Sequence, residues 1–242
     1  MSDITDKVQK LLDKAASLSA MEDVHYQQEA EAILAKATAM MVEYGISNGL
    51  LAAKAKVTLK PTHRMFYAAN PFAPAKTSLL TVIGKTLGCY TVLTKNAARN
   101  DGVAECHVFG YQDDLDSLEI LFVSAQLIAM RGAERQKRLG KTSRGFQSSY
   151  WTGFYIGIRE QLNTAAEQVK QASQASDAGT NIMLRDRALA VNGLVNETYP
   201  RLRKIQRSYS NSEGFNTGKA DGRNANLTQS SNISSTGQRM IG

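Results

Sequence analysis

The sequence predicts an α+β fold: an N-terminal helical hairpin, a small central antiparallel sheet flanked by helices, and a helical basic C-terminal region. Three observations carry that expectation. Apolar residues recur at helical spacing through most of the chain, as in Val8, Leu11, Leu12 and Leu18 or Leu115, Leu118, Phe122, Ala125 and Ala129. Two short stretches, Cys89–Thr94 and Val103–Gly110, bracket an Asn/Asp/Gly-rich turn over 96–102, which is the mark of a β-hairpin. The 242 residues are 43% hydrophobic and 21% charged, an ordinary globular mixture that excludes disorder of the whole chain.

Taken in order, Asp3 is placed to cap a first helix through Ile4–Leu18, and 19–23 interrupts the pattern. A second helix follows with Ala30, Ile33, Leu34, Ala37, Met41 and Tyr44, and Gly45 is expected to end it as a left-handed cap closed by Ile46. Residues 1–50 thus form a hairpin with one apolar face that must dock elsewhere, and 51–56 reads as a polar linker. A central α+β domain is expected over 57–175. It opens with a strand over 57–69. Next comes a helix with Pro74 in its first turn, Leu79, Leu80, Ile83 and Leu87 on its buried face, and Gly88 at its end.

After the β-hairpin a long helix begins, capped by Asp113 or Asp114, and its basic continuation runs over 131–144. Trp151, Phe154, Tyr155, Ile158 and Leu162 then mark the core face of another helix, with Gly153 and Gly157 leaving a smooth strip for a close neighbour. Residues 167–179 look like a helix end and linker. The C-terminal region, 180–227, holds a helix over 182–199 stopped by Pro200. It also holds Gly214, Gly218 and Gly222, four apart, as a packing motif. Residues 228–242 are expected to be a flexible tail.

Charge gives the clearest functional lead. The chain has 29 Lys+Arg against 22 Asp+Glu, a net +7, and the excess is clustered. Residues 131–144 (RGAERQKRLGKTSR) contain Arg131, Arg135, Lys137, Arg138, Lys141 and Arg144 with one acid; residues 201–207 (RLRKIQR) contain Arg201, Arg203, Lys204 and Arg207 with none. Such clusters suit successive phosphates, whose neutralisation releases counterions. Against that stands the plainer alternative of solvated helix ends.

Catalytic signals are thin. Asp116 and Glu119 share a helix face, and so form a candidate acid/base or cation-binding pair, but acids also gather at helix starts for dipole reasons alone. Cys89 and His107 form a conceivable dyad across the β-hairpin, and Cys106 lies beside them in sequence, yet no CxxC, HExxH, nucleophile-elbow or phosphate-loop spacing occurs. No metal and no cofactor is expected. No apolar run is long enough to span a membrane. The N-terminal residues lack a secretory signal pattern, and two cysteines do not make a disulfide scaffold, so a cytoplasmic location is expected.

The order of blocks carries a resemblance. KVQKLLDKAAS followed by EAEAILAKATAMMVEYGIS, then NPFAPAKTSLLTVIGKTLGCYTV, VFGYQDDLDSLEILFVSAQ, GFQSSYWTGFYIGIREQL and the closing ETYPRLRKIQRS and GFNTGKADGRNANL, together resemble the domain of unknown function 2786 family over about residues 4–227. That family occurs in bacteria and bacteriophages. The resemblance implies an organisation and supplies no catalytic residue. The preferred expectation is a non-enzymatic nucleic-acid-binding accessory protein of a phage or mobile element, tolerant of sequence on DNA or RNA. The alternative is a protein–protein module using the hairpin and the aromatic helix, and the third an uncharacterised hydrolase.

Overall fold

The structure, a computed structural model, describes residues 2–18, 24–55, 58–94, 102–176, 179–203 and 213–223. Its elements run α1 (Ser2–Leu18), α2 (Val24–Lys54), β1 (Thr62–Ala69), α3 (Ala73–Thr86), β2 (Tyr90–Thr94), β3 (Val103–Gly110), α4 (Gln112–Arg138), α5 (Arg144–Ser176), α6 (Thr180–Thr198) and α7 (Glu213–Arg223). The architecture is α+β, with helices on both faces of a three-stranded antiparallel sheet of order β1-β3-β2. Among the described residues no helix is long and apolar enough to cross a membrane.

Strand alternation divides the core in two. Phe66 pairs with Cys106, and these residues with Val108 face the main core beneath α3 and α4. Val92 pairs with His107, and on that opposite face Val92 and Phe109 pack against Val191 and Val195 of α6. The hairpin resolves its own problem of an uncovered face: Val8, Leu12 and Ala15 of α1 and Ile33, Ala37 and Met41 of α2 join the main core, with α1 docked on α4 and α2 on α4 and α5. Leu79, Leu80, Ile83, Leu115 and Leu118 are essentially inaccessible, each stabilising by about 1.5–3 kcal/mol through burial.

Several expectations are corrected. Gly45 does not end α2, which continues through the supposed linker to Lys54. The reason is tertiary: Ile46 is buried in the core, and the missing Cβ at Gly45 makes room for Asp114, whose Oδ1 would lie 2.8 Å from it. The first strand begins at Thr62 rather than 57. Neither Asp113 nor Asp114 occupies the cap of α4, which is Tyr111. Asp113 instead accepts from Asn48 Nδ2 at 3.0 Å, while Asp114 accepts a backbone hydrogen bond from Tyr111.

The basic stretch is not one helix. Gly140, at φ 83, closes α4 with Lys141 N–H donating to Gln136 O and Gly140 N–H to Lys137 O, a Schellman turn. Ser143 Oγ then accepts the Phe146 N–H at the start of α5. Helix α5 in turn runs on to Ser176, through most of the segment expected as a linker. Helix α6 ends at Thr198, just before Pro200 as expected. The turn over 96–101 and the tail over 228–242 lie outside the described residues.

Candidate nucleic-acid interface

The Schellman turn and the new helix start make an elbow between α4 and α5. Lys137, Arg138 and Arg144 are exposed on it, and a Cβ added at Gly140 or Gly145 would meet nothing, so the backbone itself is open to approach. The other basic side chains are more engaged. Arg135 is mostly buried and donates from Nη2 to Asp221 of α7 at 3.0 Å. Lys141 meets Glu213 and Lys137 meets Glu134 at 2.9 Å, both as surface pairs, and Arg131 and Arg138 make contacts of their own. Exposed pairs of this kind are screened by solvent and weak, so opening them costs little.

Arg201 and Arg203 are exposed just past α6; Lys204 and Arg207 lie outside the described residues. The topology brings the two segments toward one end of the sheet. Arg64 and Phe66 of β1 meet Glu119 and Phe122 of α4 in the same order, so α4 runs parallel to β1. Helix α6 passes Tyr111 with Arg187 and reaches His107 with Tyr199, and so runs antiparallel to β3. Both helices therefore end toward the Ala69–Val103 end, in layers on opposite faces. The chain between Arg203 and Glu213, which meets Lys141, reaches at most about 35 Å.

The candidate catalytic pairs are not assembled. Asp116 and Glu119 do share a face, but Arg64 occupies both, with Nη2 at 2.6 Å from Asp116 and Nη1 at 2.7 Å from Glu119. The two acids hold the guanidinium in its charged form, raising its pKa against the cost of burial. Cys89 packs its sulfur beside Gly110, while Cys106 lies four residues before Gly110 on β3 and His107 points to the other face. Burial pushes the Cys89 thiol far up, the opposite of an activated nucleophile. Among the described residues no group of three or more His, Cys, Asp or Glu is arranged to hold a metal ion.

The aromatic run Tyr150, Trp151, Phe154 and Tyr155 is core, as its spacing predicts. The glycines of α7 behave as a packing motif: a Cβ at Gly214 or Gly218 would run into the backbone of Phe146 or Tyr150, and one at Gly153 into Phe215 and Lys219.

A second cluster escaped the sequence. Arg187 of α6 donates from Nη2 to Asp114 Oδ2 at 2.6 Å, with its guanidinium carbon 3.8 Å from the Tyr111 ring centre. Both charged side chains are largely buried, at 15% and 10% exposure. Burial pushes the Asp114 carboxyl up, and Arg187 pulls it back only in part. A pocket of about 200 Å³ opens beside the pair, between α2, the end of α3 and α6. The one local hint was an Asp just inside a helix start; its partner is 73 residues away and carries no signal.

Fold and surface thus define an α+β protein whose helical hairpin docks on a sheet-centred core and whose α4–α5 elbow is basic. Residues 3–48, which cover α1 and most of α2, match the model of a family described as Protein of unknown function (DUF2786). The later blocks of the resemblance lie beyond that match. No curated protein and no solved structure matches the chain.

Proposed function

We propose that this is a non-enzymatic nucleic-acid-binding accessory protein, acting in the bacterial cytoplasm for a phage or mobile element. The observation that carries the reading is the α4–α5 elbow, where exposed Lys137, Arg138 and Arg144 flank open glycine backbone. A sugar-phosphate chain can approach such a surface closely, and the contacts position without reading bases. Exposed Arg201 and Arg203, at the end of the helix on the opposite face of the sheet, would add to the phosphate contacts, with Lys204 and Arg207 next in sequence. Arg135 belongs to the fold instead, through Asp221. A protein–protein role through the N-terminal hairpin and the aromatic helix has less support, because the apolar faces of both are packed into the core.

Fluorescence anisotropy of labelled duplex DNA, single-stranded DNA and RNA tests the proposal. Binding at 50 mM salt should fall steeply by 200 mM, and the Lys137→Ala/Arg138→Ala/Arg144→Ala variant should reduce both affinity and salt slope. Absence of binding to all three nucleic acids at low salt overturns it.

A further inference from the structure

We propose that the pocket beside the Asp114–Arg187 pair is a binding site for a small organic carboxylate with an apolar tail. The pocket is independent of the elbow: it adjoins the first turn of α4, a 27-residue helix about 40 Å long that carries Arg138 at its other end. Its volume, about 200 Å³, admits a small molecule and excludes a nucleotide chain.

Its lining sets the ligand class. Val42 and Ile46 of α2 and Leu184 of α6 make apolar walls, and Asp114, Arg187 and Lys170 of α5 are the charged residues that line them. Among the lining side chains two cations stand against one anion; the second cation, Lys170, is held by Glu167 only at 3.5 Å and outside the pocket. Asp114 draws on one arm of Arg187, whereas a guanidinium has five donors in a planar fork. Tyr111 stacks on that plane and fixes its orientation, so the donors are held in place before a ligand arrives. Among the described residues Lys170 has a long contact, 3.5 Å, to the exposed Glu167, and so loose a surface pair leaves its ammonium able to turn inward at little cost.

Gly45 belongs to the same construction. A side chain there would collide with Asp114, so glycine both seats the acid and keeps the α2 wall open. Apolar walls with few convergent polar groups are the usual composition of small-molecule sites. A phosphate ester would need more cationic charge and less apolar wall than this pocket offers. A monocarboxylate satisfies both the charge and the walls.

Methyl-resolved NMR titration of the full chain with hexanoate, and with hexan-1-ol as the uncharged control, tests the assignment. Hexanoate should give saturable shifts centred on Val42, Ile46 and Leu184, with hexan-1-ol at least about tenfold weaker. Lys170→Ala should weaken hexanoate about tenfold without lowering the thermal midpoint, and Leu184→Trp should block it by filling the space. Shifts scattered over the surface, equal binding of the alcohol, or unchanged affinity in Lys170→Ala each overturn the proposal. Because Lys170 is remote from the elbow in the chain and on a different segment of α5, none of these results depends on nucleic-acid binding.

Discussion

Near its start α4 offers an acid, Asp114, to Arg187 of α6; near its end it offers a base, Arg135, to Asp221 of α7. Each polarity suits the dipole of α4, with negative charge at the N-terminus and positive at the C-terminus. A tyrosine completes each clasp: Tyr111 lies against Arg187, and Tyr150 Oη donates to Asp221 at 2.9 Å. Glycines let each be approached closely, Gly45 at the first and Gly132 and Gly218 at the second. The surroundings differ. Beside Asp114 lies a pocket, whereas α7 is pressed backbone to backbone on α5. The Arg135–Asp221 pair is closed in by packed helices, whereas the Asp114–Arg187 pair borders a space that a ligand could enter.

Substitutions sharpen that contrast. Asp114→Ala leaves Arg187 buried without its carboxylate and should cost about 3–5 kcal/mol in urea unfolding. The double variant Asp114→Leu/Arg187→Met should recover most of that loss, since replacing both members of a buried pair is far milder than removing one. If the double variant is no better than the single, the pair is not the unit of stability there. Gly218→Ala should cost about 3 kcal/mol, because the new methyl meets the Tyr150 main chain, which cannot swing aside. Gly145→Ala, with open space around it, should cost nothing measurable by the same assay. Asp221→Asn should cost about 2 kcal/mol, since Tyr150 and Arg135 keep a neutral acceptor in reach.

How much of this was legible in the chain is seen in three glycines. Gly88 reads as a helix end and is one: it sits at φ 83, and Cys89 N–H returns to Gly84 O. Gly140 makes the same turn but lay inside a run of helix formers and charges, so the break went unseen, although the Ser143 cap after it was a second signal. Gly45 carried the same local signal and ends nothing, because its role is set by Asp114 from another helix. Local periodicity exposed the buried faces, such as Leu79–Ile83 and Trp151–Leu162. It was silent on long-range partners: Arg64, 52 residues before Asp116, turns a candidate catalytic pair into an ion-pair cluster. Cys89 and His107 form no dyad because Cys89 faces the main core and His107 the α6 side of the sheet, and the pairing of β2 on β3 that decides this cannot be read from the two strands alone.

The α6 face of the sheet gives the smallest and most selective effect. His107 stands 2.8 Å through Nδ1 from Tyr199 Oη, with His63 edge-on at 4.4 Å between ring centres. Burial holds the His107 imidazole below its ordinary pKa of 6.5, and the neighbouring His63 adds to the effect. A base whose folded pKa is depressed contributes stability above its unfolded pKa and loses it as pH falls through the folded value. The raised carboxyls of Asp114 and Asp221 act in the opposite sense, because protonation favours their folded forms. Those acids are common to wild type and His107→Gln, so the difference between the two isolates the histidine. From pH 7.5 to 5.5 the wild-type thermal midpoint should fall more than that of His107→Gln. Parallel curves would mean that protonation of His107 does not loosen α6 from the sheet.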